Sequence, residues 1–473
     1  MFDSRTPRLA PLAAILALLA TAALAVAQTN GTRDSVIASP IGGGTAADGD
    51  SDNVAFSGDN RRTRYIGFDS TSTNLVSGDT NSSRDVFLIA RSSQEGSLSG
   101  RMTRASVSSR GRQGNADSRL PSISGESGRS ARCVAFESQA TNLASGDRSR
   151  DWDVYVRDLK RRSTTLVSRG RSNARTPVVD GACEFVTFES AGRIYVYDIK
   201  SRKATRIARG TNPDQQTNGK GVAYERSGQV YYQAYLRKFR SRKRGGPYVK
   251  RSGREQLVSR SAAAARGNGV SRNPSLDDAG LYVAFESTAT NLCEGGSGCA
   301  GVGSADRNGA VSDVFRRTLN SRRAPSKDYM QIVSYSQGCS AASPSAAAVD
   351  AQGDGPSNNP QMTGAGENIV FDSEATNLKE SSGIAVADAN GAARDVFYWN
   401  FPRGRRCGNV SRESRGSQPR EAGSGQPLNG ASTNPATSNR ANYIGFTSTQ
   451  SGDLGELNGP GIPDVFVRFL GGE

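Results

Sequence analysis

Histidine is absent from all 473 residues. That removes imidazole-based triads, histidine-ligated zinc and histidine general bases from consideration. No CxxC pair occurs among the six cysteines, which argues against thiolate metal sites and dithiol redox centres. Aromatic residues make up only 7% of the chain and methionines number four, too few for a thick helical core. Long apolar runs are missing too, except for residues 9–27. No G-x-S-x-G elbow is present to seat a serine nucleophile.

What is present begins with that one apolar run. Arg5 and Arg8 precede it, and Ala25-Val26-Ala27 closes it with a small-x-small pattern before polar Gln28. This is the layout of a secretory leader covering 1–27, and it predicts a secreted or periplasmic, extracytoplasmic protein. The same stretch as an uncleaved anchor is the blander alternative. The formal charge is +15, and losing Asp3, Arg5 and Arg8 with the leader removes a net one, leaving about +14. Such a balance favours acidic partners. Glycine is abundant at 54 residues, as many tight turns between short strands require.

A repeat then organises the chain. Seven short β-branched and aromatic runs carry Phe68, Phe136, Phe188, Tyr224, Phe285, Phe371 and Phe446 near their ends. An acid follows six of them: Asp69, Glu137, Glu189, Glu225, Glu286 and Asp372. A proline stands eleven residues earlier in five units, as in Pro177/Phe188 and Pro274/Phe285; Pro121/Phe136 has four extra residues, and Ser57 takes the place in the first unit. That fixed spacing fits strand, tight turn, strand. A third strand follows each time, reading Asp85-Val86-Phe87, Asp153-Val154-Tyr155, Asp313-Val314-Phe315 and so on to Asp464-Val465-Phe466. Fourth strands end in Val107-Ser108, Val167-Ser168, Ile207-Ala208, Val258-Ser259, Val333-Ser334 and Val410-Ser411, one fewer than the units. Unit four departs from the pattern, without a clean strand after Tyr231 and with a basic insertion.

The missing fourth strand is supplied by 35–39 within an N-terminal segment 28–53. The expectation is an all-β, seven-bladed propeller of four-stranded blades over 54–473, closed by an N-terminal strand, with six or eight blades as the alternative count. The run Pro121-Ser122-Ile123-Ser124, Val134 to Ser138, Asp153 to Leu159 and Thr164 to Ser168 resembles the TolB-type, WD-like repeats of exported bacterial propellers. That resemblance implies the fold and export. It implies no single activity, because such propellers include binding scaffolds, protease-gating domains and a few lyases.

Strand alternation sorts the loops onto two faces. Turns after first and third strands share one face, which is basic; loops after second strands share the other, which is rich in Asp and Asn. The basic stretch 237–254 is the sharpest candidate for an anionic partner, through Arg237, Lys238, Arg240, Arg242, Lys243, Arg244, Lys250, Arg251 and Arg254, with Phe239 and Tyr248 between them. A merely solvated loop is the plainer reading. Calcium is a possible cofactor of the opposite face, with oxygen ligands at alternating positions: Asp79, Asn81 and Asp85; Asp306, Asn308 and Asp313; Asp388, Asn390 and Asp395. Turn capping by the same residues is the alternative. The six repeated acids look structural, bonding neighbouring blades. Cys133 and Cys183 fall in adjacent blades and are expected to pair, Cys293 and Cys299 share one loop, and Cys339 and Cys407 are left on opposite faces.

The function expected is a non-enzymatic scaffold binding a protein or an anionic cell-surface polymer, with nucleic acid an unlikely partner. The rival is a carbohydrate-active hydrolase or lyase working on an acidic polysaccharide in the central funnel. It needs an acid or arginine peculiar to one blade.

Overall fold

A computed structural model describes residues 35–37, 47–59, 63–91, 98, 100–126, 128–238, 248–261, 264–293, 306–319, 330–336, 351–378, 390–401, 409–414, 430–449 and 462–471. Its strands form seven antiparallel blades of four strands in simple up-and-down order, the outer strand of blade 4 being split in two, plus a two-stranded pairing of Tyr335–Ser336 with Ala351–Gln352; no helix occurs among the described residues. Blade 1 is Ser51–Phe56, Tyr65–Ser70, Asp85–Arg91 and Gly100–Arg104; blades 2 to 6 occupy 118–166, 175–209, 211–257, 271–332 and 357–412. Blade 7 has only Ser432–Thr437, Tyr443–Ser448 and Asp464–Phe469 from the C-terminal part of the chain. Its fourth strand is Ser35–Ile37, paired antiparallel with residues 466–468. The first strands touch one another in a closed circle, including blade 7 against blade 1, so they line the central axis. The fold is a seven-bladed β-propeller sealed by its N-terminal strand.

The repeat is legible in the packing. In every blade the second-strand aromatic lies directly across from one in the third strand, as in Phe136↔Tyr155 and Phe371↔Phe397. All seven pairs stack, with centroids 5.5 to 6.1 Å apart. Such cross-strand ring pairs add about 0.5–1.5 kcal/mol beyond their burial. The third-strand acid is buried beside a fourth-strand serine. Ser106 donates to Asp85 at 2.5 Å, Ser334 to Asp313 at 2.6 Å and Ser414 to Asp395 at 2.7 Å, and Ser168 donates to Asp153. In blade 4 Gln229 replaces the acid and takes the same bond from Ser259 at 2.7 Å.

These bonds correct the alignment at two places. The serines equivalent to Ser168 are Ser106 and Ser414, not Ser108 and Ser411, because only a residue at that register reaches the buried acid. The first unit also aligns differently. Each first strand carries a β-bulge whose leading residue is left-handed: Asn53, Leu120, Thr176, Asn212, Asn273, Asn359 and Asn434, all with φ between 46° and 55°. The residue after it is the proline in six blades and Val54 in the first. Val54, not Ser57, is therefore the counterpart, and the blade begins at Ser51. Proline is tolerated there because this is the innermost edge strand.

Blade 4 differs most from expectation. Its third strand is a continuous ten residues, Gln229–Lys238, and its outer strand is split into Tyr248–Arg251 and Gln256–Leu257. The basic insertion thus springs from a β-hairpin, anchored by Val249 and Tyr235 packing on Phe185, Val196 and Ile207 of blade 3.

Candidate functional site

The repeated acids form the inner ring. Five of the six accept a bond from the backbone N–H of the next blade's left-handed bulge residue: Leu120 to Asp69 at 2.9 Å, Thr176 to Glu137 at 2.9 Å, Asn212 to Glu189 at 2.6 Å, Asn273 to Glu225 at 2.9 Å and Asn359 to Glu286 at 2.8 Å. The bulge aims an otherwise unpaired amide at the neighbouring carboxylate. Asparagine side chains extend the ring, since Asn212 donates to Glu225 at 2.7 Å and Asn273 to Glu286 at 3.0 Å. Arginines complete three members: Arg84 on Asp69 at 2.6 Å, Arg119 on Glu137 at 2.7 Å and Arg394 on Asp372 at 2.9 Å. Burial raises Asp69 and Asp372 to about 6 despite these guanidiniums. Five of the acids are mortar between blades, while Asp372 is held by Asn359 and Arg394 of its own blade.

One channel acid belongs to a single blade. Asp214 follows Pro213, where other blades carry Ala55, Ser122, Val178, Ser275, Gln361 or Ala436. It accepts a bond from Leu276 N at 2.6 Å, and burial pushes its carboxyl up to about 7. The Asp214 residue is half-buried, on the first strand of blade 4. Its mark in the sequence was the residue after the repeated proline, a position where no other unit has a charge.

At the far end the turns between first and second strands close on each other. Gly125 N donates to Gly181 O at 2.9 Å, Gly181 N to Thr217 O at 2.8 Å, Asp278 N to Gly364 O at 3.0 Å and Gly364 N to Asn439 O at 3.0 Å. Asn439 reaches over Gly364 to Asp278 at 3.0 Å, bridging blades 7 and 5. A Cβ on Gly58 would stand 2.2 Å from Gly125 O, so these glycines permit the contact. These contacts tie the turns of neighbouring blades together on the turn face.

The residues singled out from the sequence are distributed as follows. Arg237 turns inward, pairing with Asp198 and Glu184 of blade 3 at 2.9 Å each and lying 4.4 Å over the Phe185 ring. Lys250, Arg251 and Arg254 are exposed, and Arg251 donates to Gln233 at 2.8 Å. Arg240, Arg242, Lys243, Arg244 and the Lys238 side chain lie outside the described residues. In blade 1, Arg104 lies between Asp79 at 2.9 Å and Asp85 at 3.4 Å, while Asn81 donates to Asp85 at 3.1 Å. Arg412 is the equivalent on Asp395 at 3.3 Å in blade 6, where Asn390 also reaches Asp395 at 3.5 Å. Blade 5 has Ile332 at that position. There Gln352 bridges Asp306 at 3.1 Å and Asp313 at 2.5 Å, and Asn308 donates to Gly353 O at 2.8 Å. Burial raises Asp313 to about 7, with Asp306 adding to the rise. Asp388 lies outside the described residues. Cys133 and Cys183 form a disulfide with Cα atoms 6.0 Å apart, and Cys293 is disulfide-bonded as well; Cys299, Cys339 and Cys407 lie outside the described residues.

The simple division into a basic and an acidic face does not survive. Loop-face acids such as Asp79, Asp85, Asp147 and Asp153 are turned into the blades, where Tyr155 donates to Asp147 and serines or Arg104 hold the others. Over blade 2, Arg110, Arg112, Arg148, Arg150 and Arg169 of the same face stay outside. At the channel mouth Arg119 and Arg175 flank Trp152, with guanidinium carbons 4.2 and 5.3 Å from its ring.

Sheets, bulges and ring together define a seven-bladed β-propeller, the architecture that the repeat resemblance implied. No protein-family profile matches the sequence, and no curated protein does either. Among solved structures it is similar to TolB from Acinetobacter baumannii, at 11% identity and a TM-score of 0.33, over 72% of this chain and 65% of that one. It is also similar to the β-propeller domain of the Trilobed protease from Pyrococcus furiosus, at 7% identity and a TM-score of 0.43, covering 90% and 95%. Tricorn protease aligns at 12% identity and a TM-score of 0.41, with 89% of this chain on 33% of that one. The chain thus spans about two thirds of that TolB and one third of tricorn protease. Likeness at this level concerns architecture alone.

Proposed function

We propose that this protein is an exported, non-enzymatic scaffold that binds a protein or an anionic cell-surface polymer on its turn face. The observation that carries the reading is a sector of five exposed lysines on three consecutive blades. Lys160 belongs to blade 2, Lys200 and Lys203 to blade 3, Lys220 and Lys250 to blade 4. The neighbouring acids already have arginine partners: Glu126 with Arg129, Asp158 with Arg132 and Arg161, Asp198 and Glu184 with Arg237. The lysines are left unneutralised, and strongly hydrated point charges of that kind attract anionic chains at long range. Export is supported by the leader pattern and by the Cys133–Cys183 bridge, which suits an oxidising compartment. No described helix is long and apolar enough to cross a membrane.

The test is retention on an immobilised polyanion such as polyglutamate. Replacing Lys200, Lys203 and Lys220 by glutamate should lower the salt needed for elution markedly; an unchanged elution point would reject the turn face as the site. Asp214 supports a second reading, hydrolysis or elimination on an acidic polysaccharide in the channel, because a catalytic acid must differ from its neighbours. Turnover by the purified protein that disappears in Asp214→Asn would establish it. Calcium at Asp306 and Asp313 is proposed on the same footing, since no arginine among the described residues pairs with either acid. Calorimetric titration should give heat that Asp313→Asn abolishes.

A further inference from the structure

Among the described residues lysine is confined to the turn face, while arginine occurs on both faces. Every lysine with a described side chain sits on the turn face, whereas the loop face over blade 2 carries arginine only. Arg110 and Arg112 lie in the connector from blade 1, Arg148 and Arg150 in the loop between second and third strands of blade 2, and Arg169 in the connector to blade 3. All five are exposed, and no carboxylate among the described residues pairs with them.

Hydrogen bonds fix these segments side by side. Asn142 of the central loop donates to Gln113 O at 2.9 Å, and Asn115 N donates back to Asn142 at 3.1 Å, which ties the first connector to the loop. Arg169 donates to Ser145 O at 2.7 Å, which ties in the second. Of the loop's two acids, Asp147 is occupied by the Tyr155 hydroxyl and Ser149 N, and Asp151 is half-buried beside Asp153. Arg119 and Arg175, on either side of Trp152, carry the arginine sector to the channel mouth.

We propose that this arginine sector is a second binding surface, specific for oxyanion groups carried on a polymer, and that the disc bridges two anionic chains, one on each face. The choice of arginine decides the chemistry. Its planar fork makes two parallel bonds to a phosphate, sulfate or carboxylate and is weakly hydrated, whereas a lysine sector offers only charge. The bridging part rests on the turn-face reading above; the loop-face site does not.

The experiment uses the full chain with polyphosphate, dextran sulfate and polyglutamate as probes at low salt. The loop-face variant is R148A/R150A/R112A, and its conservative partner is R148K/R150K/R112K. These side chains are exposed, and unchanged thermal unfolding verifies the fold of each. In a background with the turn-face lysines replaced by glutamate, the alanine variant should bind at least about tenfold more weakly to one or more probes. The lysine variant, with equal charge, should recover only part of that loss. A sandwich assay then captures labelled polyanion on polyanion-coated beads through the protein, and signal should vanish when either face is altered. Equal binding by the arginine and lysine forms would overturn the oxyanion site, leaving unspecific charge. Intact loop-face binding without a sandwich signal would overturn bridging. Failure of the turn-face variant to matter on its own would instead sink the earlier reading.

Discussion

At the scale of single residues, the left-handed bulge residue and the carboxylate it addresses are the working unit of the ring. Glu286 accepts from Asn359 N and from the Asn273 amide, so Glu286→Ala leaves two donors without their acceptor. The expected loss is about 2–4 kcal/mol in urea unfolding, with Glu286→Gln milder because one oxygen survives. A change under about 0.5 kcal/mol would mean that channel water replaces the carboxylate. That the acids are structural was readable from their sixfold recurrence. Their partner was not, because the bulge that turns a backbone amide toward the neighbouring blade leaves only a proline as its trace.

At the scale of elements, the disulfide joins the start of a second strand in blade 2 to a first turn in blade 3, at a sequence separation of 50. Removing it as Cys133→Ser/Cys183→Ser frees a loop of that length in the unfolded chain and should cost roughly 3–4 kcal/mol. Thermal unfolding with and without reductant checks it, since the double variant should no longer respond to reduction of this bridge. Blade 4 shows where element reading from sequence stopped. The strand after Tyr231 was hidden because its outer partner is interrupted at 252–255, so no fourth strand with the usual spacing confirmed it. Arg237 looked like ligand-binding charge in the same run, yet the hairpin carries it back to Asp198 and Glu184.

For the whole molecule, burial of carboxylates governs the response to pH. Asp180, Asp214 and Asp313 are raised to about 7, and Asp69, Asp85, Asp153, Asp277 and Asp372 to about 6, with desolvation the first cause in each. An acid whose folded pKa exceeds its unfolded value near 3.8 holds more protons in the folded state between the two. Its contribution is therefore complete below the unfolded value and is lost as pH rises through 6 to 7. Asp158 and Glu255, which are lowered, act oppositely in stronger acid. The melting temperature should accordingly be higher near about pH 5 than near about pH 8, and Asp214→Asn should flatten the slope around neutrality. A melting temperature that climbs from acid to pH 8 would contradict this balance.

The sequence alone determined the repeat, its count, the closing strand and the inter-blade disulfide. Each follows from short-range patterns: two-residue alternation, turn residues at set spacing, and a missing strand that must be made good at the edge. Only the tertiary structure decided which charges face outward. Both faces carry Asp and Arg in their loops, and linear order cannot tell a carboxylate folded under Tyr155 or Arg104 from one in water. Burial costs a small acid less than it costs an unpaired guanidinium, because a carboxylate can take up a proton or a serine hydroxyl bond. Over blade 2 the acids of the loop tip and third strand went in while five arginines stayed out, and a face expected to be acidic offers an arginine sector there.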